Sequence, residues 1–127
     1  MARFFVLFVT ALLPLSLSAV QLDPGILASS GFLEAHPDVH WRALALERYK
    51  KGDYVEAFDL FRRASRYADK ASQGMVAEML WEGKGRPVDR ALAYAWMDLA
   101  AEREYPQLVV WRERYWHELT PGEQRRA

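Results

Sequence analysis

The chain contains few residues whose types and spacing could support catalysis or metal binding. His36 and His40 lie four positions apart with Asp38 between them, a spacing that could suit a divalent metal ion on one helix face. Pro37 disfavours helical geometry at His36 and so breaks the helix that would align the two rings. No further cluster of ligand residues stands nearby in the sequence. We therefore interpret the histidines as surface residues at a turn and predict neither a metal site nor a cofactor.

Glu78 and Glu82 form a second pattern, because they fall on one face of a predicted helix and could be drawn as a general acid and base. A glycosidase needs its two carboxylates across a sugar-binding cleft, which one helix of a small domain does not offer. The serines lack the Gly-x-Ser-x-Gly pattern, and the chain has no cysteine. Gly83-x-Gly85 lacks both the phosphate-binding pattern and a preceding strand. We predict no catalytic residues and a protein that is not an enzyme.

The first 19 residues have the pattern of a secretory signal peptide. Arg3 provides the positive start, an apolar run comes next, and small residues at Ser16, Ser18 and Ala19 suit signal peptidase. A membrane anchor or a buried core helix is the alternative, but the run is shorter than the roughly 20 apolar residues that span a bilayer. We predict a periplasmic or secreted protein with no stable membrane anchor after cleavage.

Charge and composition exclude some partners. The chain has 17 basic and 17 acidic residues, and removing residues 1–19 takes away Arg3 and no acid. A nearly neutral chain is not expected to bind nucleic acid through bulk charge. A basic edge on one helix is offset by nearby acids and is interpreted as a mixed, solvated face; its residues are Arg62, Arg63 and Arg66. About 108 residues remain for one small domain, held by its core without disulfides.

Helical periodicity and helix-ending residues divide the rest of the chain into helices, with no strand pattern. A short helix is possible over 26–35. Longer helices are predicted, with Asp38 as the cap of the first, at 39–51, 54–67, 69–82, 88–102 and 107–119. The second of these is expected to bury an apolar stripe that includes Val55. Thr120 and Glu123 have the form of a capping box, and the segment 120–127 is expected to be a terminal cap.

One helical pattern occurs twice in the sequence, at 53–65 and 89–101, with an offset of 36 positions. Asp53 matches Asp89, Ala57 matches Ala93, and Ala64 matches Ala100. Self-similarity at this period is typical of arrays in which each unit is a helix pair that cannot bury its apolar face alone. The predicted fold is all-α, a short α-solenoid of about two and a half helix-turn-helix repeats over 38–119, preceded by an N-terminal segment, 20–37.

The stretch 71–105 resembles the SEL-like (Sel-one type) repeat, a relative of the tetratricopeptide repeat. In that family a helix is followed by a Gly-x-Gly loop, an Asp and an Ala…Trp…Ala-Ala helix. The matching positions here are Gly83, Gly85, Asp89, Ala93, Trp96, Ala100 and Ala101. The first unit, around 52–57, looks closer to a plain tetratricopeptide turn. Glu104 departs from the pattern, because the family usually has glycine after the second helix.

The resemblance implies a non-enzymatic role in binding a protein or peptide partner, or as a scaffold. By analogy, the first helix of each pair would line a groove. The residues that this nominates are Arg42, Leu46, Tyr49, Glu78, Trp81, Arg114 and His117. Ordinary core packing is the alternative for the apolar and aromatic members, and solvated surface charge is the alternative for the charged ones.

Two other functions remain open on the sequence alone. The chain could be a cell-envelope or peptidoglycan-remodelling factor, or an accessory to such an enzyme, in which case Glu78 would be the residue to test. It could instead be a small structural protein that self-associates, because Trp111, Tyr115 and Trp116 would form an apolar patch if the terminal segment failed to cover them.

Overall fold

The computed structural model describes residues 23–127, and this part of the chain is all-helical, with eight helices and no strand. The predicted signal peptide, residues 1–19, lies outside the described residues. In chain order the helices are α1 (Pro24–Leu27), α2 (Ser30–Ala35), α3 (Pro37–Lys50), α4 (Tyr54–Ser65), α5 (Lys70–Glu82), α6 (Arg90–Ala101), α7 (Pro106–Glu118) and α8 (Pro121–Arg126).

Helix bounds recur at the spacing of the sequence repeat. α4 and α6 are both 12 residues long and begin 36 positions apart, at Tyr54 and Arg90. α5 and α7 are both 13 residues long and begin 36 positions apart, at Lys70 and Pro106. The turns between them also match, because Ala68 and Glu104 adopt left-handed φ values of 58° and 57°. Glu104 therefore adopts the backbone geometry that glycine provides most easily.

Each of the helices from α3 to α7 packs against its neighbours in the sequence, and the closest pairs are α3 with α4 and α5 with α6. Buried alanines let the helix axes approach, and larger side chains such as Phe61 and Met79 fill the space between them. The alanines at zero exposure include Ala57, Ala64, Ala93 and Ala100. α8 packs mainly against α6.

The loop between α5 and α6 needs glycine at two positions. Gly83 follows the last turn of α5 with a φ of 73°, and Gly85 has a φ of 74°. A Cβ atom at Gly85 would overlap the backbone carbonyl of Tyr54 at the start of α4. Gly85 is thus required both for its dihedral angle and for the close approach of the two backbones.

Three local predictions are wrong, and one is confirmed. The expected short helix over 26–35 is two helices, because Ser29 caps α2 by accepting a hydrogen bond from the backbone N–H of Phe32 at 3.3 Å. α3 begins at Pro37, a residue suited to the first helical position, so Asp38 lies inside the first turn and does not cap it. The capping box at Thr120 and Glu123 is present, with reciprocal hydrogen bonds of 3.2 and 2.8 Å.

The third wrong prediction is the width of the apolar stripe of α4, which is narrower than the periodicity predicts. Val55 is 59% exposed, whereas Ala57, Phe58 and Phe61 are buried. Its counterpart in α6, Ala91, is 1% exposed. Periodicity identifies the residues on one face of a helix, but it does not show how far a neighbouring element extends over that face.

Candidate functional site

Side-chain contacts join α3, α5 and α7, which are not consecutive in the chain. Arg42 of α3 forms an ion pair with Asp69, the N-cap of α5. At the other end of α3, the Tyr49 hydroxyl accepts a hydrogen bond of 2.8 Å from Lys84, just beyond α5. α5 meets α7 through the rings of Trp81 and Tyr115, whose centroids lie 3.9 Å apart with planes 8° apart.

Two neighbouring cavities lie along α5 and α7. Their volumes are about 740 and 160 Å³, and they share the lining residues Ala71, Gln107 and Leu108. We call this pair the α5–α7 groove and its two cavities the wide end and the narrow end. Gly74 contributes to the narrow end, where a Cβ would lie 3.2 Å from the Leu108 side chain. The glycine therefore lets α7 come close to α5 at the floor of the groove.

Most of the charged side chains that line the wide end form ion pairs or hydrogen bonds with other helices of the fold. Asp69 accepts a hydrogen bond of 3.0 Å from the backbone N–H of Ser72 in addition to its ion pair with Arg42. The Lys70 side chain is only 7% exposed, and its ammonium group donates to the Leu99 carbonyl at 2.9 Å and to Glu102 at 2.6 Å. The hydrogen bond from Lys70 lowers the pKa of the Glu102 carboxyl. These contacts tie α5 to its neighbours.

The rim of the wide end is open and aromatic. Tyr67 and Tyr105 line it, with 54% and 51% of their surface exposed. Arg103 also lines this cavity and is exposed. Exposed tyrosines beside an arginine are the residue types that protein interfaces favour, since they provide contact area together with hydrogen bonds.

The narrow end places one carboxyl group among apolar and aromatic side chains. Glu78 is half-buried there, and burial raises the pKa of its carboxyl, with a further increase from the charge of Glu82. The walls are provided by Met75, Met97, Leu108, Trp111 and Tyr115. Burial also raises the pKa of the Tyr115 phenol, and the nearby charges of Glu78 and Glu82 contribute to that shift.

Only two of the seven residues nominated from the sequence line the groove. Arg42 lies at the wide end and Glu78 at the narrow end. The Trp81 ring stacks on the Tyr115 ring, and the Arg90 guanidinium lies 4.1 Å from the centroid of the Trp81 ring. The Tyr49 hydroxyl accepts a hydrogen bond from Lys84, and the Tyr49 ring makes an edge contact with the Tyr54 ring.

The remaining three nominated residues lie outside both cavities. Leu46 is 38% exposed on α3. Arg114 donates to Glu118 at 2.7 Å and lies 5.0 Å from the centre of the Trp111 ring, so it borders the narrow end without lining it. His117 is exposed on α7.

Several groove residues were missed by the sequence reasoning. Gly74 had a usable signal, because a glycine in a helix interior costs about 1 kcal/mol and so indicates a packing requirement. Leu108 and Trp111 were recognised only as apolar positions of an amphipathic helix. Lys70 carried no signal, since its burial depends on Glu102, which lies 32 positions further along the chain.

Comparison with known proteins finds no match for this chain among family models, curated proteins or solved structures. Within residues 23–127, no helix is long and apolar enough to cross a membrane. The same part of the chain contains no group of three or more His, Asp or Glu side chains placed to hold a metal ion.

Proposed function

We propose that this chain is an exported SEL-like repeat protein whose α5–α7 groove binds a peptide segment of a partner protein, without catalysis. The 36-position recurrence of the helix bounds and the zero exposure of Ala57, Ala64, Ala93 and Ala100 support the repeat arrangement. In such an array, the stacked repeats form a concave surface that binds partners, and by analogy the first helix of each pair would line it.

The observation that carries the proposal is that two neighbouring cavities lie along α5 and α7 and share the lining residues Ala71, Gln107 and Leu108. The wide end, at about 740 Å³, lies within the ordinary range of ligand sites, roughly 300–1,000 Å³. The floor is apolar through Ala71, Gly74 and Leu108, and the rim bears Tyr67, Arg103 and Tyr105. An apolar floor favours affinity by releasing water, and polar rim groups favour one orientation of the bound segment.

The proposal is tested by filling the groove from a position that does not disturb the core. Ala71 is exposed and lines both cavities, so Ala71→Trp places a large ring in the groove. Ala95 is an exposed alanine of α6 that lines neither cavity, so Ala95→Trp is the matched control. A random peptide library is selected on the wild-type protein, and the affinities of the enriched peptides are measured on all three proteins.

We expect the enriched peptides to bind wild type and Ala95→Trp equally. On Ala71→Trp they should bind at least about tenfold more weakly, which corresponds to about 1.4 kcal/mol. Equal binding to all three proteins would exclude the groove as the binding surface. Thermal unfolding of both variants shows whether each retains the wild-type fold.

One observation favours a second candidate, a peptidoglycan-remodelling enzyme or an accessory to one. The raised pKa of Glu78 is the property expected of a general acid, and the residue lies in a cavity beside Tyr115. Incubation of the purified protein with labelled cell-wall material tests whether it is such an enzyme. Turnover that disappears in Glu78→Gln would support the enzyme, and no turnover by wild type would exclude it.

A third candidate is a self-associating structural protein, and exposed apolar side chains on α7 favour it. Of the three residues predicted for an apolar patch, Trp111 and Trp116 are 43% and 37% exposed, whereas Tyr115 is 2% exposed because it stacks on Trp81; Val110 is also 66% exposed. Large exposed apolar residues on one helix are typical of surfaces that associate. Light scattering over a range of protein concentrations tests this candidate, and a constant monomer mass would exclude it.

A further inference from the structure

The Glu78 carboxyl is in an environment that does not suit a free negative charge. It lies between α5 and α7, half-buried, beside Met75, Leu108 and Trp111. Within the described residues, its side chain makes neither a hydrogen bond nor an ion pair, and the balance of its surroundings favours the neutral form. A carboxylate that is partly removed from water costs free energy, which the charge of Lys84 offsets only in part, so a bound cation or a proton would stabilise the site.

Lys84, whose positive charge acts on Glu78, and Arg114 of α7 both have partners within the fold. Lys84 donates to the Tyr49 hydroxyl at 2.8 Å and forms an ion pair of 2.7 Å with Glu82. On α7, Arg114 forms an ion pair of 2.7 Å with Glu118, and its guanidinium lies 5.0 Å from the centre of the Trp111 ring. Neither basic side chain lines the narrow end, although the charge of Lys84 acts on Glu78 and Arg114 lies over one wall residue, Trp111.

The walls of the narrow end also favour a cationic group, in addition to the Glu78 carboxylate. The rings of Trp111 and Tyr115 meet at 66° with their centroids 6.0 Å apart, which forms an aromatic corner beside Glu78. Ring faces attract ammonium and guanidinium groups, and most strongly where water is partly excluded. The methylene groups of a long side chain would in turn pack on Met75, Met97 and Leu108.

The volume of the narrow end limits the size of the group that can enter it. The narrow end holds about 160 Å³, and a water molecule occupies roughly 30 Å³ in the liquid. The space therefore suits the outer part of one extended side chain and is too small for a folded segment. The main chain of the bound segment would lie in the shared part of the groove, at Ala71, Gln107 and Leu108.

We propose that the narrow end of the α5–α7 groove binds a lysine or arginine side chain of the partner peptide, with Glu78 as its counter-charge and Trp111 and Tyr115 as its aromatic walls. This inference rests on the proposed function, because the peptide that occupies the groove delivers the side chain. An acidic side chain is repelled from this site, and a neutral apolar one leaves the carboxylate uncompensated.

The test uses small probes that carry only the side chain in question. The probes are the N-acetyl, C-methylamide derivatives of lysine and arginine, with the neutral analogues norleucine and citrulline and the acidic derivative of glutamate. Binding is followed by the indole N–H signal of Trp111 in two-dimensional NMR spectra, assigned with Trp111→Phe. Wild type is compared with Glu78→Gln and with Glu56→Gln, a matched change at an exposed carboxylate of α4.

We expect the lysine or arginine probe to bind wild type and Glu56→Gln at least about tenfold more tightly than its neutral analogue. On Glu78→Gln this preference should disappear, while the rest of the spectrum shows an intact fold. Equal binding of charged and neutral probes to wild type would overturn the inference. A cationic preference that persists in Glu78→Gln would also overturn it.

The two proposals fail in different ways. Peptides that depend on Ala71 but show no enrichment of lysine or arginine would overturn this inference and leave the groove as a peptide site. Cationic probes that bind through Glu78, together with a failure to select any peptide, would support the pocket chemistry and contradict the proposed function.

Discussion

α5 and α7 occupy equivalent positions in two segments, 53–88 and 89–124, whose helix bounds are 36 positions apart, but their surroundings differ. Ala77 of α5 has no exposed surface, whereas its counterpart Glu113 is exposed. Leu80 is 4% exposed, and its counterpart Trp116 is 37% exposed. The next helix after α5 is the full-length α6, while the next helix after α7 is the six-residue α8. The same helix position is thus either core or surface, depending on the length of the next helix in the chain.

The caps at the start of the two segments differ in the same way. Asp89 accepts a hydrogen bond of 3.1 Å from the backbone N–H of Leu92 and forms an ion pair of 2.9 Å with Arg126 of α8. Asp53 occupies the equivalent position but makes no capping hydrogen bond. An identical residue at an equivalent position therefore has different contacts in the two segments, and the ion pair with α8 is made only in the second.

The largest effect is expected at the loop that ends the first segment. Gly85→Ala should destabilise the fold by about 3 kcal/mol, because a Cβ there overlaps the Tyr54 backbone in addition to the left-handed strain. At Gly52 φ is 82°, but an added Cβ would have no other atom within 4 Å apart from its neighbours in the chain. Gly52→Ala should therefore destabilise the fold by only about 1 kcal/mol. Urea denaturation measures both, and equal losses would show that the close approach of the loop to α4 does not matter.

The second prediction concerns the two caps. Asp89→Ala should destabilise the fold by about 1.5 kcal/mol, since it removes a helix cap and the ion pair with Arg126. Asp53→Ala should change the stability by less than about 0.5 kcal/mol. The backbone hydrogen bond from Leu92 lowers the pKa of Asp89, so its stabilisation is present above pH 3.8 and is lost as the pH falls through the lowered value. Denaturation at several pH values measures this, and a large loss in Asp53→Ala would contradict the difference.

The third prediction tests what the two segments share. Ala68→Gly and Glu104→Gly should each stabilise the fold by about 1 kcal/mol, because each relieves a left-handed conformation in a residue with a side chain. Thermal unfolding with calorimetry measures the gains. Gains that differ clearly between the two sites would show that the turns are not energetically equivalent, despite φ values within one degree of each other.

The smallest effect is expected where the segments differ in charge. Glu78→Gln should stabilise the fold at pH 7 by no more than about 0.5 kcal/mol. Burial raises the pKa of Glu78 and so penalises its ionised form, but solvent screens a half-exposed carboxyl. The contribution of Glu78 to the stability of the wild-type fold is fully present below pH 4.5 and is lost as the pH rises through its raised pKa. The stabilisation by Glu78→Gln should therefore vanish in acid. The groups that face this carboxyl and also titrate are Glu82, Lys84 and Tyr115.

The control for this last prediction is the equivalent position on α7. Arg114→Gln removes an exposed, solvent-screened ion pair with Glu118 and should leave the midpoint of denaturation unchanged, without the pH dependence of Glu78→Gln. A gain at pH 7 that persists unchanged at pH 4 in Glu78→Gln would contradict the assignment of a raised pKa.

Much of the helical framework could be predicted from the sequence, because its signals are local. Gly52, Gly83 and Pro106 break the helices near where the periodicity ends, and the Thr120 capping box lies where its residue types indicate. The groove could be predicted only in part. Arg42 and Glu78, two of the nominated residues, line the cavities, whereas Tyr49 and Trp81 are engaged by Lys84, Tyr115 and Arg90.

The sequence by itself determined the helices and their 36-position recurrence, since each depends on hydrogen bonds, caps and dihedral preferences within a few residues. Tertiary structure alone decided which faces are covered and which charges are compensated. Val55 is exposed, Lys70 is buried, and Glu78 is half-buried beside Trp111 and Tyr115, and each of these outcomes depends on residues that lie far away in the chain. Burial and electrostatic pairing depend on the distance in space between groups, and the spacing of residues along a helix does not contain that distance.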